Sequence, residues 1–129
     1  MPVVRLDVIE GRSPAQKRAL LQAVHAALVE ALRIPEDDRT QRLVEHARED
    51  FEIPPGRSDA YLLGEITMFA GRSTQAKRNL YQAIVRNVGE LGIAPSDVLV
   101  VLHESPMENW GVQGGRMASE VDLGFDIQV

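Results

Sequence analysis

The sequence predicts an α+β fold in which one β-α-β unit occurs twice, giving a four-stranded mixed sheet with two helices on one face. Three observations carry this prediction. Gly11-Arg12-Ser13 opens an apolar-periodic stretch, and Gly71-Arg72-Ser73 opens a similar one 60 positions later. A short run rich in β-branched residues stands before each periodic stretch, and a second such run follows it. A proline, Pro35 or Pro95, then closes each helical segment. The similarity extends over Arg12 to Val24 and Arg72 to Ile84, and Pro35 and Asp37 fall on Pro95 and Asp97 at the same offset. Duplication of one supersecondary unit explains this better than chance.

Val3 to Ile9 is short and β-branched enough for a strand. Ser13 then offers an N-cap, Pro14 suits the first helical position, and Gln16 completes a capping box. Leu20, Val24, Leu28 and Ala31 form one helical stripe, with Lys17, Gln22 and Glu30 off it. A second strand is expected over about Thr40 to His46. Arg48 to Asp59 is a loop punctuated by Pro54-Pro55-Gly56. The next copy has a strand at Ala60 to Phe69, an N-cap at Ser73, the stripe Leu80, Ile84, Val88 and Leu91, and a strand at Val98 to His103. Pro106 to Val129 carries Gly111, Gly114 and Gly115 and then an apolar end. It reads as a hairpin or extended arm packing on a neighbouring subunit. All of this is expected in one domain, 1–129, with repeats at about 1–59 and 60–105 and the arm at 106–129. Val4, Leu6 and Val8 are apolar on one strand face, but Val3, Ile9, Leu63 and Phe69 are apolar on the other. Two helices cover only one face, so self-association is expected to cover the second.

Composition narrows the function. Of 129 residues, 44% are hydrophobic and 26% charged, an ordinary globular balance. A net charge of −5 disfavours nucleic acid or an acidic membrane as the main partner. The absence of cysteine excludes a disulfide framework, a thiolate nucleophile and a Cys-based zinc site. The charged, alternating start is unlike a signal peptide, and no apolar run reaches the roughly 20 residues of a membrane span, so a cytoplasmic protein is expected. There is no nucleophile elbow, Walker loop or His-Glu-x-x-His. Gly111-Val112-Gln113-Gly114-Gly115 reads as a glycine turn, and His25, His46 and His103 share no ligand spacing, so no cofactor and no metal is expected.

Pro2 carries the chemistry. Aminopeptidases trim an initiator Met that precedes a small residue, and the product here is a secondary amine at the head of a strand. An α-amino group titrates near about 8, so such an amine can exchange a proton near neutral pH. In this context, Met1-Pro2, the short strand, the Gly-Arg-Ser helix start and the duplicated unit together resemble the tautomerase superfamily over nearly the whole chain. Within it, Pro35-Glu36-Asp37-Asp38-Arg39-Thr40-Gln41, Gly71-Arg72 and Glu108-Asn109-Trp110-Gly111 are most similar to the malonate semialdehyde decarboxylase-like branch. The resemblance implies a tautomerase-like fold and a homotrimer, with Pro2 in a small pocket between subunits. Pro2 and Asp38 are then the catalytic candidates, and Arg72, Arg39 and Trp110 the substrate-binding ones.

Bland readings stand beside these. Arg12 occupies the place of Arg72 in the first copy, so Gly-Arg-Ser is also readable as a helix-start motif alone. Asp38 either orients a water or holds the proline ammonium, or it is a plain loop carboxylate. Arg39 and Arg57 are further anion-site candidates that also suit solvated surface, and Trp110 either walls a pocket or packs at a subunit contact. The expected activity is isomerisation of a small carboxylate-bearing carbonyl or enol, with neutral Pro2 moving the proton and Arg72 binding the carboxylate. The alternatives are a decarboxylase or hydratase using protonated Pro2, and a non-catalytic trimer that binds a small acid or protein.

Overall fold

Alternating apolar residues make the first strand. In the computed structural model, which describes residues 1–129, β1 (Val3–Ile9) buries Val4, Leu6 and Val8 on one side. α1 (Pro14–Leu32) begins at Ser13, whose hydroxyl accepts the Gln16 N–H while the Gln16 side chain accepts the Ser13 N–H. This is the expected capping box. Leu20, Val24 and Leu28 are buried as expected, and Leu32 rather than half-buried Ala31 completes the stripe. Arg33 closes the helix in the left-handed region, at φ 57°. β2 (Thr40–His46) follows.

The second unit repeats the first. β3 is Leu62–Phe69, starting two residues later than expected because Ser58 turns the chain and accepts the Tyr61 N–H at its carbonyl. α2 (Thr74–Gly89) is capped by Ser73 and buries Leu80, Ile84 and Val88. Leu91 lies beyond its end and is exposed. β4 (Val98–Ser105) runs two residues past the expected end because Ser105 still pairs with Phe69. Gly11 and Gly71 have φ of +132° and +129°, a region open in practice only to glycine, so each copy needs glycine before its helix.

The sheet order is β2-β1-β3-β4. The outer pairs are parallel and the central β1–β3 pair is antiparallel. Val4, Leu6, Val8, Leu62, Ile66 and Met68 form the core with the buried faces of both helices. The other sheet face is less apolar than the strand pattern predicts. A polar line runs across it: Asp7, only 4% exposed, accepts from Arg5 and from His46 at 2.7 Å, and His103 pairs with Glu65 at 2.9 Å. Apolar residues flank this line, and Leu99 and Val101 on β4 remain exposed.

After β4, β5 (Gly111–Val112) and β6 (Arg116–Met117) form a hairpin, turned by Gln113, Gly114 and Gly115, all with positive φ. The arm then runs back over its own chain. Val121, Leu123, Phe125, Ile127 and Val129 are half-buried, and the residues between them are exposed. The Ser73 N–H donates to the Val129 carbonyl at 2.9 Å. Ile127 comes within 3.5 Å of where a Gly71 side chain would begin, so the arm lies across the start of α2.

Candidate active site

Topology gathers the chain start, Asp38 and Arg72 at one end of the sheet. Val3 pairs with Thr40 on one side and with Thr67 on the other. Asp38 therefore stands just ahead of β2, beside the start of β1, and Arg72 stands just past the end of β3. The terminal ammonium, here on Met1, donates to the Asp38 carboxylate. Pro2 is buried directly beneath. The loop that carries Asp38 is pinned by His25, a 1% exposed side chain of α1 whose Nε2–H donates to the Glu36 carbonyl at 2.7 Å.

The second copy shows what Asp38 is built from. The Asp38 N–H closes a turn onto the Pro35 carbonyl, and the Asp97 N–H closes the same turn onto Ala94. Strand register agrees: Val3 pairs with Thr40, and Leu63 pairs with Leu99. The structural counterpart of Asp97 is thus Asp38, not Asp37 as a constant offset implies, because the second copy is one residue shorter here. Asp97 accepts from the Ser58 N–H at 2.9 Å and from its hydroxyl, which holds its carboxyl below the ordinary value. Each copy thus has a carboxylate that anchors the approach to its first strand. Only the first anchors an amine.

Arg12 and Arg72 share a local motif but not an environment. Arg12 is half-buried, and its Nη2 donates to the Ala60 carbonyl at 3.1 Å. Arg72 is 6% exposed, makes only a long 3.5 Å contact to the Phe69 carbonyl, and leaves Nε and Nη2 buried without a partner. Burial lowers its pKa, while the charges of Glu104, Asp38 and Asp126 act in the other direction. Buried donors normally find acceptors, so two unpartnered guanidinium nitrogens are an exception within this fold. Glycine and serine in Gly-Arg-Ser are therefore helix-start residues, whereas the arginine differs between copies. Trp110 sets its ring edge-on to Phe69, with centroids 4.9 Å apart, and its Nε1 is also buried and unpartnered.

A cleft of about 350 Å³ opens at this end, lined in part by Met1, Asp37, Asp38, Val112, Leu123 and Phe125. Arg39, Arg72 and Trp110 are not among its walls; the Arg39 guanidinium donates to Gln22 on α1. Arg57 lies at the opposite end of the sheet, next to Ser58 and the Asp97 carboxylate. A smaller cavity of about 170 Å³ beside Arg12 is lined by Leu20, Leu91 and Ile93 and contains no terminal amine. Sequence reasoning missed His25, Val112, Leu123 and Phe125. For the arm the signal was present, since its apolar residues fall at every second position from Val121 to Val129.

Known proteins agree with this architecture. Family models for tautomerase enzymes match residues 38–113 and 2–58. A probable tautomerase of Bacillus subtilis (strain 168), YrdN, is 30% identical over 116 residues, covering 85% of this chain and 89% of that protein. Another from the same strain, YusQ, is 29% identical over 90% of this chain and 96% of its own. Among solved structures, a malonate semialdehyde decarboxylase inhibited by 3-bromopropiolate superposes with a TM-score of 0.82 at 34% identity, covering 88% of this chain and 91% of its own. A fused 4-OT that forms a symmetric trimer superposes at 0.81 with 30% identity, covering 91% of this chain and 96% of its own. With its duplicated β-α-β units in the same arrangement, the chain belongs to the tautomerase superfamily and has malonate semialdehyde decarboxylases among its structural neighbours.

Proposed function

We propose that this tautomerase-family enzyme acts through the secondary amine of Pro2, exposed when Met1 is removed, on a small acid whose carboxylate is held by Arg72. The observation that carries the reading is the terminal ammonium paired to Asp38, beside a cleft and close to a buried guanidinium with two unpartnered nitrogens. Loss of Met1 moves the amine back by one residue and vacates the mouth of the cleft. Neutral Pro2 then takes a proton from the carbon next to a carbonyl, or from an enol hydroxyl. The resulting ammonium returns that proton at the other end of the enol system. Arg72 holds the carboxylate and spreads the enolate charge. The assembly we propose is a homotrimer, supported by the trimeric structural relative and by the exposed apolar residues of β4.

One observation favours a second reading. Asp38 pairs with the terminal ammonium and stands where it can hold a protonated Pro2 in position. Protonated Pro2 would hydrogen-bond to the carbonyl of a 3-oxo acid. Carbon dioxide would leave with the C–C bond electrons passing into an enol, which then takes up a proton at carbon. The similarity to malonate semialdehyde decarboxylases supports this mode. Assays on protein of confirmed mass test both. Processed protein turns over substrate, Pro2→Ala is about a hundred- to ten-thousand-fold slower, and Met1-retaining protein is at background. Activity that falls as pH drops marks the base mode, and activity that falls as pH rises marks the acid mode. Equal rates with and without Met1 would remove Pro2 from the mechanism.

A further inference from the structure

We infer that the cavity beside Arg12, at the far end of the sheet from Pro2, is a second binding site that takes a small aryl monocarboxylate. The inference is independent of the Pro2 reading. The cavity, about 170 Å³, lies where α1 starts, where the chain approaches β3 at Ala60 and where α2 has just ended. Leu20, Leu91 and Ile93 give it apolar walls. Leu20 and Ile93 are buried, but Leu91 is 46% exposed, so a ligand seated here would take apolar surface out of water. An apolar cavity of roughly 150 Å³ is large enough to hold one benzene ring.

The two copies differ in what covers this place. A side chain begun at Gly71 would meet Ile127 at 3.5 Å, whereas one begun at Gly11 would meet nothing within 4 Å. The arm thus lies over the start of α2, with Phe125 and Val129 packed against the core, and the chain has no second arm for the start of α1. There the apolar walls stay open, and a cation stands among them. Arg12 lines the cavity; its Nη2 donates to the Ala60 carbonyl at 3.1 Å, and its other nitrogens are neither paired nor sealed in. Glu45 acts on Arg12 but is already bonded to Lys17 at 2.9 Å. Two cations against one carboxylate leave one positive charge for a ligand, and a guanidinium meets a carboxylate through paired N–H donors. One ring and one negative charge match the space and the charge together. No free amine lines the cavity, so binding, not turnover, is its readout.

Methyl-resolved NMR titration of the processed, assembled protein with benzoate tests this. Benzoate should shift the methyl signals of Leu20, Leu91 and Ile93, because a bound ring lies against them. Benzamide, which is neutral, and acetate, which has no ring, should each bind there at least about tenfold more weakly. Arg12→Met should weaken benzoate at least about tenfold and leave pyruvate, which has no ring to bury, bound as before at the amino-terminal site. Ala19→Leu, which fills the cavity from α1, should abolish the shifts while fold and Pro2-dependent activity stand. The shifts should persist in Arg72→Met and in Met1-retaining protein, which separates this site from the amino-terminal one. The inference is overturned if benzoate leaves these methyls unmoved, if benzamide moves them at equal concentration, or if Arg72→Met removes the shifts and Ala19→Leu does not. Failure of the Pro2 mechanism alone leaves every one of these readouts in place.

Discussion

Replacing Arg72 with Met should make the protein more stable and far poorer at binding acids. The unliganded protein buries a guanidinium with Nε and Nη2 unpartnered. An unsatisfied buried donor costs about 1–3 kcal/mol. Attraction to Glu104, Asp38 and Asp126 offsets part of that cost, and a methionine stem fills similar space. A net gain of about 1 kcal/mol corresponds to ~3 °C in Tm for a domain of this size. Binding moves in the opposite direction. Two hydrogen bonds from a charged donor are lost, each worth about 1.5–3 kcal/mol, so carboxylate affinity should fall at least roughly 150-fold. Arg12→Met is the internal control, because it breaks a bond to the Ala60 carbonyl. It should leave Tm unchanged or lower and affinity intact. Calorimetric scans and acid titrations on all three proteins give the answer. A destabilised Arg72→Met variant with unaltered acid binding would show that the guanidinium is a structural strut and refute the reasoning.

Three further outcomes are expected. His25→Leu leaves the Glu36 carbonyl without its donor and should lower stability by about 1–3 kcal/mol in urea unfolding, with a larger loss of kcat than a remote substitution of equal destabilisation. Burial works against the Asp7 carboxylate, but Arg5 and His46 outweigh it and hold its pKa below the ordinary value. Its contribution is thus present at neutral pH and lost as pH falls through the folded pKa, so the Tm gap between wild type and Asp7→Asn should close between about pH 5 and pH 2; a constant gap contradicts the pairing. Leu99→Lys with Val101→Glu should dissociate the proposed trimer in light scattering, and an unchanged mass would place the contact elsewhere.

What the sequence revealed follows the range of the interactions involved. The Ser13–Gln16 capping box, the bounds of β1 and β2 and the pairing of two similar units are local or periodic, so they are legible in the letters. Arg12 and Arg72 sit in the same tripeptide and cannot be told apart locally. They differ because Ala60 offers one a carbonyl, while the arm and Phe69 enclose the other. The match of Asp97 to Asp38 was hidden by a single-residue difference in turn length, which only strand register exposes. The polar line on the open sheet face escaped pattern reading for another reason. Arg5, Asp7, Glu65, His46 and His103 look like ordinary interruptions in sequence, and only strand pairing sets the Arg5–Asp7–His46 group beside the Glu65–His103 pair.

The Asp38–Asp97 correspondence also bears on stoichiometry. Two units of near-equal geometry invite the expectation of two reactive ends per chain. Position 2 of the first unit corresponds to Leu62 of the second, where the nitrogen is already an amide within β3. An amide has no basic lone pair, so covalent continuity removes the second reactive end whatever side chain stands there. Titration with an amine-directed reagent should therefore label one proline nitrogen per chain, three in a trimer, and no redesign confined to side chains of the second unit would raise that number. Only cutting the chain ahead of Leu62 would create a second free nitrogen, and the Asp97 carboxylate that now binds Ser58 is the natural group to receive it.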